Sequence, residues 1–182
     1  DDSEILALAE ESGAELIRRP AQLSSDTASS ESAWLHAIDE LEALGCFSDY
    51  ILAPQVTSPI REEGDIDGAI ETCVNQQLDS LFSASLADDL FMWKKNHAGD
   101  LQSWNFDYQN RERRQDYKAD IIENGSFYLF SPSSMRANNN RIGGNFSYYV
   151  MKFWKAFEID DLDDWEFCEL VMQKYVLEGK KL

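Results

Sequence analysis

The chain has 182 residues, 43% of them hydrophobic, and sets 34 acidic against 16 basic side chains for a formal net charge of −18. That length allows one domain with a real core, because a chain of this size buries roughly two thirds of its extended surface on folding. So acidic a composition excludes a general binder of nucleic-acid backbones, which needs a basic footprint, and requires local arginines, lysines or a metal ion to meet any anionic ligand. Cys46, Cys73 and Cys168 are odd in number and widely spaced, so neither a disulfide framework nor a zinc knuckle is expected, and a reducing cytoplasm suits them. No apolar run reaches membrane-spanning length, and the opening Asp-Asp-Ser-Glu is not a signal peptide, so no membrane partner is expected.

In chain order, Glu4 to Glu11 reads as a helix with Ser3 as a cap, Ile5, Leu8 and Ala9 inward, and Gly13 as its end. Ala14 to Ile17 is a short strand candidate, and Arg19 to Ser30, rich in Ser, Asp and Thr, is a loop. A second helix runs from about Glu31 to Leu44, with Trp34, Ile38 and Leu41 inward and Gly45 as its stop. Tyr50 to Ala53 is a compact apolar strand that leads straight into Pro54-Gln55-Val56-Thr57-Ser58-Pro59. In open α/β sheets, polar groups just past a strand's carboxyl end are the usual ligand contacts.

Asp65 to Gln77 is the next helix, with Ile66, Ala69, Ile70 and Cys73 on its buried face, and Ser80 to Ala84 follows as a strand. This alternation favours a doubly wound α/β sheet over a bundle. Leu90 to Lys94 and Leu101 to Phe106 flank Asn96-His97-Ala98-Gly99-Asp100 as a hairpin, and Tyr108 to Asp120 is a polar loop. Ile121 to Phe130 contains a strand, Pro132 to Met135 a turn, and Arg136 to Gly144 an Asn-rich excursion. Phe146 to Met151 is another strand, and Asp163 to Leu177 a terminal helix with Phe167, Leu170, Val171 and Tyr175 inward.

Two segments carry chemistry. Glu158-Ile159-Asp160 puts two carboxylates on one side of an extended strand end, since strand side chains repeat with period two. Near a pocket of amides and hydroxyls, such a pair suits magnesium-dependent transfer between phosphorylated substrates. Arg111, Arg113 and Arg114 form the dense positive patch in this acidic chain. His36 and His97 are far apart with no cysteine pattern, and read as structural or surface residues.

Pro54-Gln55-Val56-Thr57-Ser58-Pro59-Ile60-Arg61, then Arg114-Gln115-Asp116, then Glu123-Asn124-Gly125-Ser126-Phe127-Tyr128, then Phe157-Glu158-Ile159-Asp160, stand in the order seen in the acylneuraminate cytidylyltransferase family. The chain resembles that family over nearly its whole length. The resemblance implies a Rossmann-like three-layer α/β/α nucleotide-diphospho-sugar transferase fold and a single domain over residues 1–182. It also implies a homodimer formed through an arm at about 132–152. The family uses Mg2+ to join CTP to a nonulosonic acid with release of pyrophosphate. Its members begin with a strand and a glycine-rich, Lys/Arg-bearing nucleotide loop. Asp1-Asp2 resembles the end of a Ser-Thr-Asp-Asp segment well inside that domain, so an N-terminally truncated form is expected.

The same resemblance carries roles to particular residues. Gln55, Thr57 and Ser58 match the sugar-contacting loop, where an amide and two hydroxyls suit a polyhydroxy acid; alternatively, Thr-Ser-Pro caps a turn after the strand. Arg61 either orients that loop, meets an anion, or pairs with Glu62 or Glu63 on the surface. Arg114 and Gln115 match a segment near the sugar, the alternative being solvated loop residues. Asn124 and Tyr128 would reach the substrate around Gly125, the alternative being a simple Asn-Gly turn. Ile122 stands where many members have arginine.

Glu158 and Asp160 match the Asp-x-Asp metal pair, the alternative being a solvated acidic strand end, while Asp161, Asp163 and Asp164 cap the last helix. Two other readings stand beside N-acylneuraminic acid activation. One is activation of another 2-keto sugar acid, such as legionaminic, pseudaminic or octulosonic acid. The other is an inactive sugar-binding or dimer-scaffold module without the nucleotide loop.

Overall fold

A computed structural model describes residues 2–178 except Asp26, Asp89 and Arg114. It is an α/β architecture with an open four-stranded sheet, consistent with the Rossmann-like expectation. The sheet has the order β1-β5-β2-β6, from β1 (Ile51–Pro54), β5 (Asp120–Phe130), β2 (Ser80–Ala87) and β6 (Phe146–Met151). Every residue of β5 from Asn124 to Phe130 is buried, as are Ser80, Leu81 and Ser83 to Ser85 of β2. Central strands covered on both faces carry such continuous burial, whereas the flanking β1 and β6 are less covered. Two compact units divide the chain: Asp1–Ala53, Ala69–Leu81 and Tyr128–Ser147 form the first, and Pro54–Gly68, Phe82–Phe127 and Tyr148–Leu182 the second.

In the first unit, α1 (Ser3–Glu11) is capped by Asp2, whose carboxylate accepts from Glu4 N at 2.8 Å and Ile5 N at 3.0 Å. α2 (Ser30–Ala43) is capped by Ser29, which accepts from Ser32 N at 3.2 Å. Both helices end where glycine was expected. Gly13 N–H donates to Glu10 O and Ala14 N–H to Ala9 O, and Gly45 and Cys46 repeat the pattern on Glu42 and Leu41. That closure spends the Ala14 amide, and Ala14 to Ile17 pairs with no strand, contrary to the strand expected there. α1 also turns a different face inward: Leu6 is buried while Ile5 and Leu8 are 68% and 65% exposed.

The expected turn at Pro132 to Met135 is the start of α4 (Pro132–Asn138), with Ser131 as N-cap and Pro132 in the first turn, where its missing N–H costs nothing. Arg136 reaches Asp39 at 2.7 Å and Glu42 at 2.8 Å, an exposed network of little energetic weight. Arg141 is better covered. It donates to Glu31 at 2.7 Å and lies over the rings of Trp34 and Tyr128 at 4.5 and 4.7 Å. Burial pulls the Glu31 carboxyl up, but the Arg141 hydrogen bond and charge outweigh it and hold the group below its ordinary value.

In the second unit, β3 (Trp93–Lys95) and β4 (Leu101–Ser103) form an antiparallel hairpin with Trp93 opposite Ser103 and Lys95 opposite Leu101. The Asn96 side chain closes its turn by accepting from Ala98 N and Asp100 N, each at 2.9 Å. Beside it Arg111 sits 4.1 Å over the Phe91 ring. α3 (Asp65–Asn75) runs from the second unit into the first. It buries Ala69 and Cys73 as expected but leaves Ile70 38% exposed.

The terminal helix α5 (Leu162–Val171) begins at Asp161, which forms a reciprocal capping box with Asp164. It then widens into a π-helix, Met172–Leu177. Cys168 and Val171 are buried against Ile60, Trp154, Ile159 and Val176, whereas Phe167, Leu170 and Tyr175, expected inward, are 44%, 69% and 53% exposed. The widened turn spoils a 3.6-residue extrapolation to Tyr175, whereas Phe167 and Leu170 precede it and are exposed within the regular helix. No helix among the described residues is long and apolar enough to cross a membrane.

Candidate functional site

The site is built on the second unit, where the chain leaves β1. Gln55 keeps one last strand-like bond, its N–H donating to Ser126 O at 3.1 Å. The loop then runs through Thr57 and Ser58 to Arg61, which turns back under it. Arg61 Nε donates to Ser126 Oγ at 2.9 Å, and Nη2 donates to Gln55 O at 2.9 Å and to Ser126 O at 2.8 Å. Burial draws the guanidinium below its usual pKa, and the nearby Asp65 charge opposes that. These bonds tie Arg61 to the backbone at both Gln55 and Ser126, which is what orienting the loop requires.

Asn124-Gly125 is not a turn between strands but lies inside β5, and Gly125 takes φ +65° there. The left-handed region suits glycine, and at this residue the missing side chain also leaves room. A Cβ built there would stand 3.1 Å from Gln55 Oε1, 3.2 Å from Ser58 Oγ and 3.4 Å from Glu158 Oε1. Three of the sequence-derived site residues therefore converge on the bare backbone of Gly125. Ser58 is fully buried and its Oγ has no hydrogen-bond partner among the described residues, which costs free energy unless something else supplies the bond.

Asn124 is buried too, but its side chain is engaged: Nδ2 donates to Ser85 Oγ at 3.1 Å and Oδ1 accepts from Ser126 N at 3.2 Å. Ser83 Oγ accepts from Phe127 N at 2.9 Å. These serines, placed in an otherwise apolar strand, were the sequence signal for a polar floor that spacing did not single out.

Glu158 and Asp160 do not end a strand. Their segment is irregular, tied down by Ile159 N–H donating to Thr57 O at 2.8 Å, and both side chains are exposed. Asp160 N–H donates to Asp164 Oδ2 at 3.0 Å. No group of three or more His, Cys, Asp or Glu suited to a metal ion occurs among the described residues. A pair of carboxylates is nevertheless the donor set magnesium commonly takes from protein when phosphates and water complete its shell. Gln115 is exposed in a turn, and Arg114 lies outside the described residues. Tyr128 is buried in the first unit, under Trp34 and Arg141.

Sequence reading missed one charged cluster. Lys155, 2% exposed, bonds Asp65 at 2.7 and 2.8 Å and Glu62 at 2.7 Å, and the Glu62 carboxyl is held below its usual value chiefly by that lysine. A lone lysine inside Phe153-Trp154-Lys155-Ala156-Phe157 was the available signal, because a lysine in an apolar run needs an acidic partner. On the outer side of the loop, Val56, Pro59, Ile159, Trp165 and Met172 help enclose a mainly apolar cavity of about 320 Å3.

No family model matches the sequence. Curated proteins do match it. The chain is 33% identical over 172 residues to the N-acylneuraminate cytidylyltransferase of Oncorhynchus mykiss, covering 93% of this chain and 38% of that protein. It is 31% identical over 183 residues to N-acylneuraminate cytidylyltransferase A of Danio rerio, covering 99% of this chain and 41% of the relative. It is 25% identical over 177 residues to a pseudaminic acid cytidylyltransferase of Campylobacter jejuni, covering 94% and 75%. The chain is thus homologous to transferases that attach a nucleotide to a sugar acid. The homologues are the cytidylyltransferases of N-acylneuraminic and pseudaminic acids, and the chain spans about two fifths of the length of the two fish relatives.

Proposed function

We propose that this chain carries the sugar-acid side of a cytidylyltransferase that transfers CMP from CTP to a nonulosonic acid. The observation that carries the reading is the convergence of Gln55 Oε1, Ser58 Oγ and Glu158 Oε1 on Gly125, with the Ser58 hydroxyl buried and unpartnered. A polyhydroxy acid supplies the donors and acceptors such a floor lacks. In the reaction a hydroxyl oxygen of the sugar acid bonds to the α-phosphorus of CTP, the bond from that phosphorus to the pyrophosphate oxygen breaks with its electron pair going to pyrophosphate, and the hydroxyl proton passes to solvent. Glu158 and Asp160 would hold Mg2+, which offsets charge on the phosphates when bound.

The contribution of the chain's own side chains is alignment. Arg61 holds the backbone carbonyls of Gln55 and Ser126, so the loop keeps its geometry without the substrate. Thr57 presents its exposed side chain at the loop surface, Asn124 braces the floor through its bonds to Ser85 and Ser126, and the resemblance alone assigns contacts to Gln115, Arg114 and Tyr128. The resemblance implies a homodimer, for which sedimentation at micromolar concentration is the test. The functional test is pyrophosphate release with CTP, Mg2+ and N-acetylneuraminic acid, run beside pseudaminic acid. Activity with either that falls at least tenfold in Ser58→Ala supports the reading. Failure to bind or turn over any 2-keto sugar acid would overturn it.

A further inference from the structure

The loop Gln55 to Arg61 and the segment Phe157 to Asp160 come from distant parts of the sequence, and two ties hold them together. One is the Ile159 N–H bond to Thr57 O at 2.8 Å. The other is the buried ion pair in which Lys155, in a short 3-10 turn (Phe153–Lys155), grips both oxygens of Asp65 at 2.7 and 2.8 Å. Asp65 in turn accepts from Glu62 N at 2.6 Å, next to Arg61, and Glu62 also meets Lys155 at 2.7 Å and Lys152 at 3.1 Å. A run of bonds therefore leads from Lys155 through Asp65 and Glu62 to Arg61, and from Arg61 to Gln55 and Ser126 on either side of Gly125. Glu158 stands three residues after Lys155, and its carboxylate arrives at the same glycine.

We infer that Lys155 is a positioning residue for the acidic pair: by clamping Asp65 and Glu62 it sets where Glu158 and Asp160 stand relative to the Gln55–Ser58 loop. This inference rests on the proposed metal role of that pair. A buried ion pair is weak evidence for a stabilising role, because replacing both partners with apolar groups of similar size is often neutral or stabilising. Stability and placement can therefore be separated. The exposed Glu158 and Asp160 are otherwise held through the backbone bonds of Ile159 to Thr57 and of Asp160 to Asp164, so loosening the clamp should spread the two carboxylates. Groups that orient metal ligands from outside the coordination shell commonly control affinity by about 10–100-fold.

The test uses Mn2+ as the probe, its binding followed by water-proton relaxation in the presence of CTP, with thermal unfolding measured on every variant. Lys155→Met with Asp65→Leu removes the pair together and avoids leaving a bare buried carboxylate. We expect it to unfold close to wild type while weakening Mn2+ by about tenfold or more. Asp65→Asn, nearly isosteric, keeps a weakened contact; it guards against misfolding of the double variant and should lose about threefold, an intermediate step on the same scale. Lys152→Met, which removes only the exposed partner of Glu62, should bind Mn2+ as wild type does. Wild-type Mn2+ affinity in both Asp65→Asn and the double variant would overturn the positioning role. Absence of Mn2+ binding in wild type, or binding that survives Glu158→Gln with Asp160→Asn, would instead overturn the metal role on which it rests.

Discussion

Replacing Gly125 by alanine tests the convergence at its centre. Two costs apply. An L-residue in the left-handed region costs about 1–2 kcal/mol, and the new methyl would meet Gln55 Oε1 at 3.1 Å, Ser58 Oγ at 3.2 Å and Glu158 Oε1 at 3.4 Å. Gln55 and Glu158 present the ends of flexible side chains and can swing aside at small cost. Ser58 is fully buried, so its yielding adds about 1 kcal/mol at the low end of overpacking penalties.

Gly99→Ala separates the two terms, because Gly99 has φ +91° in the hairpin turn with open space where a Cβ would go. Urea unfolding followed by tryptophan fluorescence should give about 1–2 kcal/mol of destabilisation for Gly99→Ala and about 2–3 kcal/mol for Gly125→Ala. Calorimetric titration with N-acetylneuraminic acid should show at least a tenfold weakening for Gly125→Ala alone. Equal destabilisation of the two variants together with unchanged binding by Gly125→Ala would refute the claim that Gln55, Ser58 and Glu158 crowd this backbone.

Three further outcomes follow from the same geometry. Ser58→Ala removes an unpartnered buried hydroxyl, so thermal unfolding should show it neutral or more stable by up to about 1 kcal/mol even as sugar-acid binding weakens; clear destabilisation would mean the hydroxyl has a partner. Arg61→Ala strips donors from Ser126 and Gln55 and should cost about 2–3 kcal/mol in urea unfolding, with Arg61→Lys recovering only part because a single ammonium cannot reproduce the fork; a cost under about 0.5 kcal/mol for the alanine variant would sink this account. Glu31, held below its ordinary value by Arg141, contributes stability that is complete above about pH 4.5 and is lost as pH falls through its lower folded value. Glu31→Gln should therefore flatten the loss of urea stability measured from pH 5 to pH 3, and an unchanged slope would show that the pair carries no such linkage.

Local chemistry was legible where it is decided locally. Asp161 caps the last helix, Gly13 and Gly45 end the first two, and the apolar Tyr50 to Ala53 run leads into a strand, because each depends on a few adjacent residues and their own backbone bonds. The resemblance drew Gln55, Ser58 and Glu158 into one candidate set, yet no spacing along the chain foretold that all three would meet at Gly125. Faces of short or distorted elements were not legible either. A nine-residue helix such as α1 offers too few turns for periodicity to choose between Leu6 and Ile5 with Leu8, and the π-helix after α5 rotates every residue that follows.

The sequence by itself determined the acidic character, the cap of the last helix, the strand that feeds the loop, and the order of polar motifs that links the chain to the sugar-acid cytidylyltransferases; the first helix is capped by Asp2 and not by Ser3 as expected. Only the tertiary structure decided that Arg61 is spent on backbone carbonyls, that Asn124 and Gly125 lie within a strand, and that Lys155 is buried against Asp65. The physical reason is the same in each case. Desolvating a charge or an amide obliges it to find partners, and which partners are within reach is set here by residues 39 to 90 positions away in the chain.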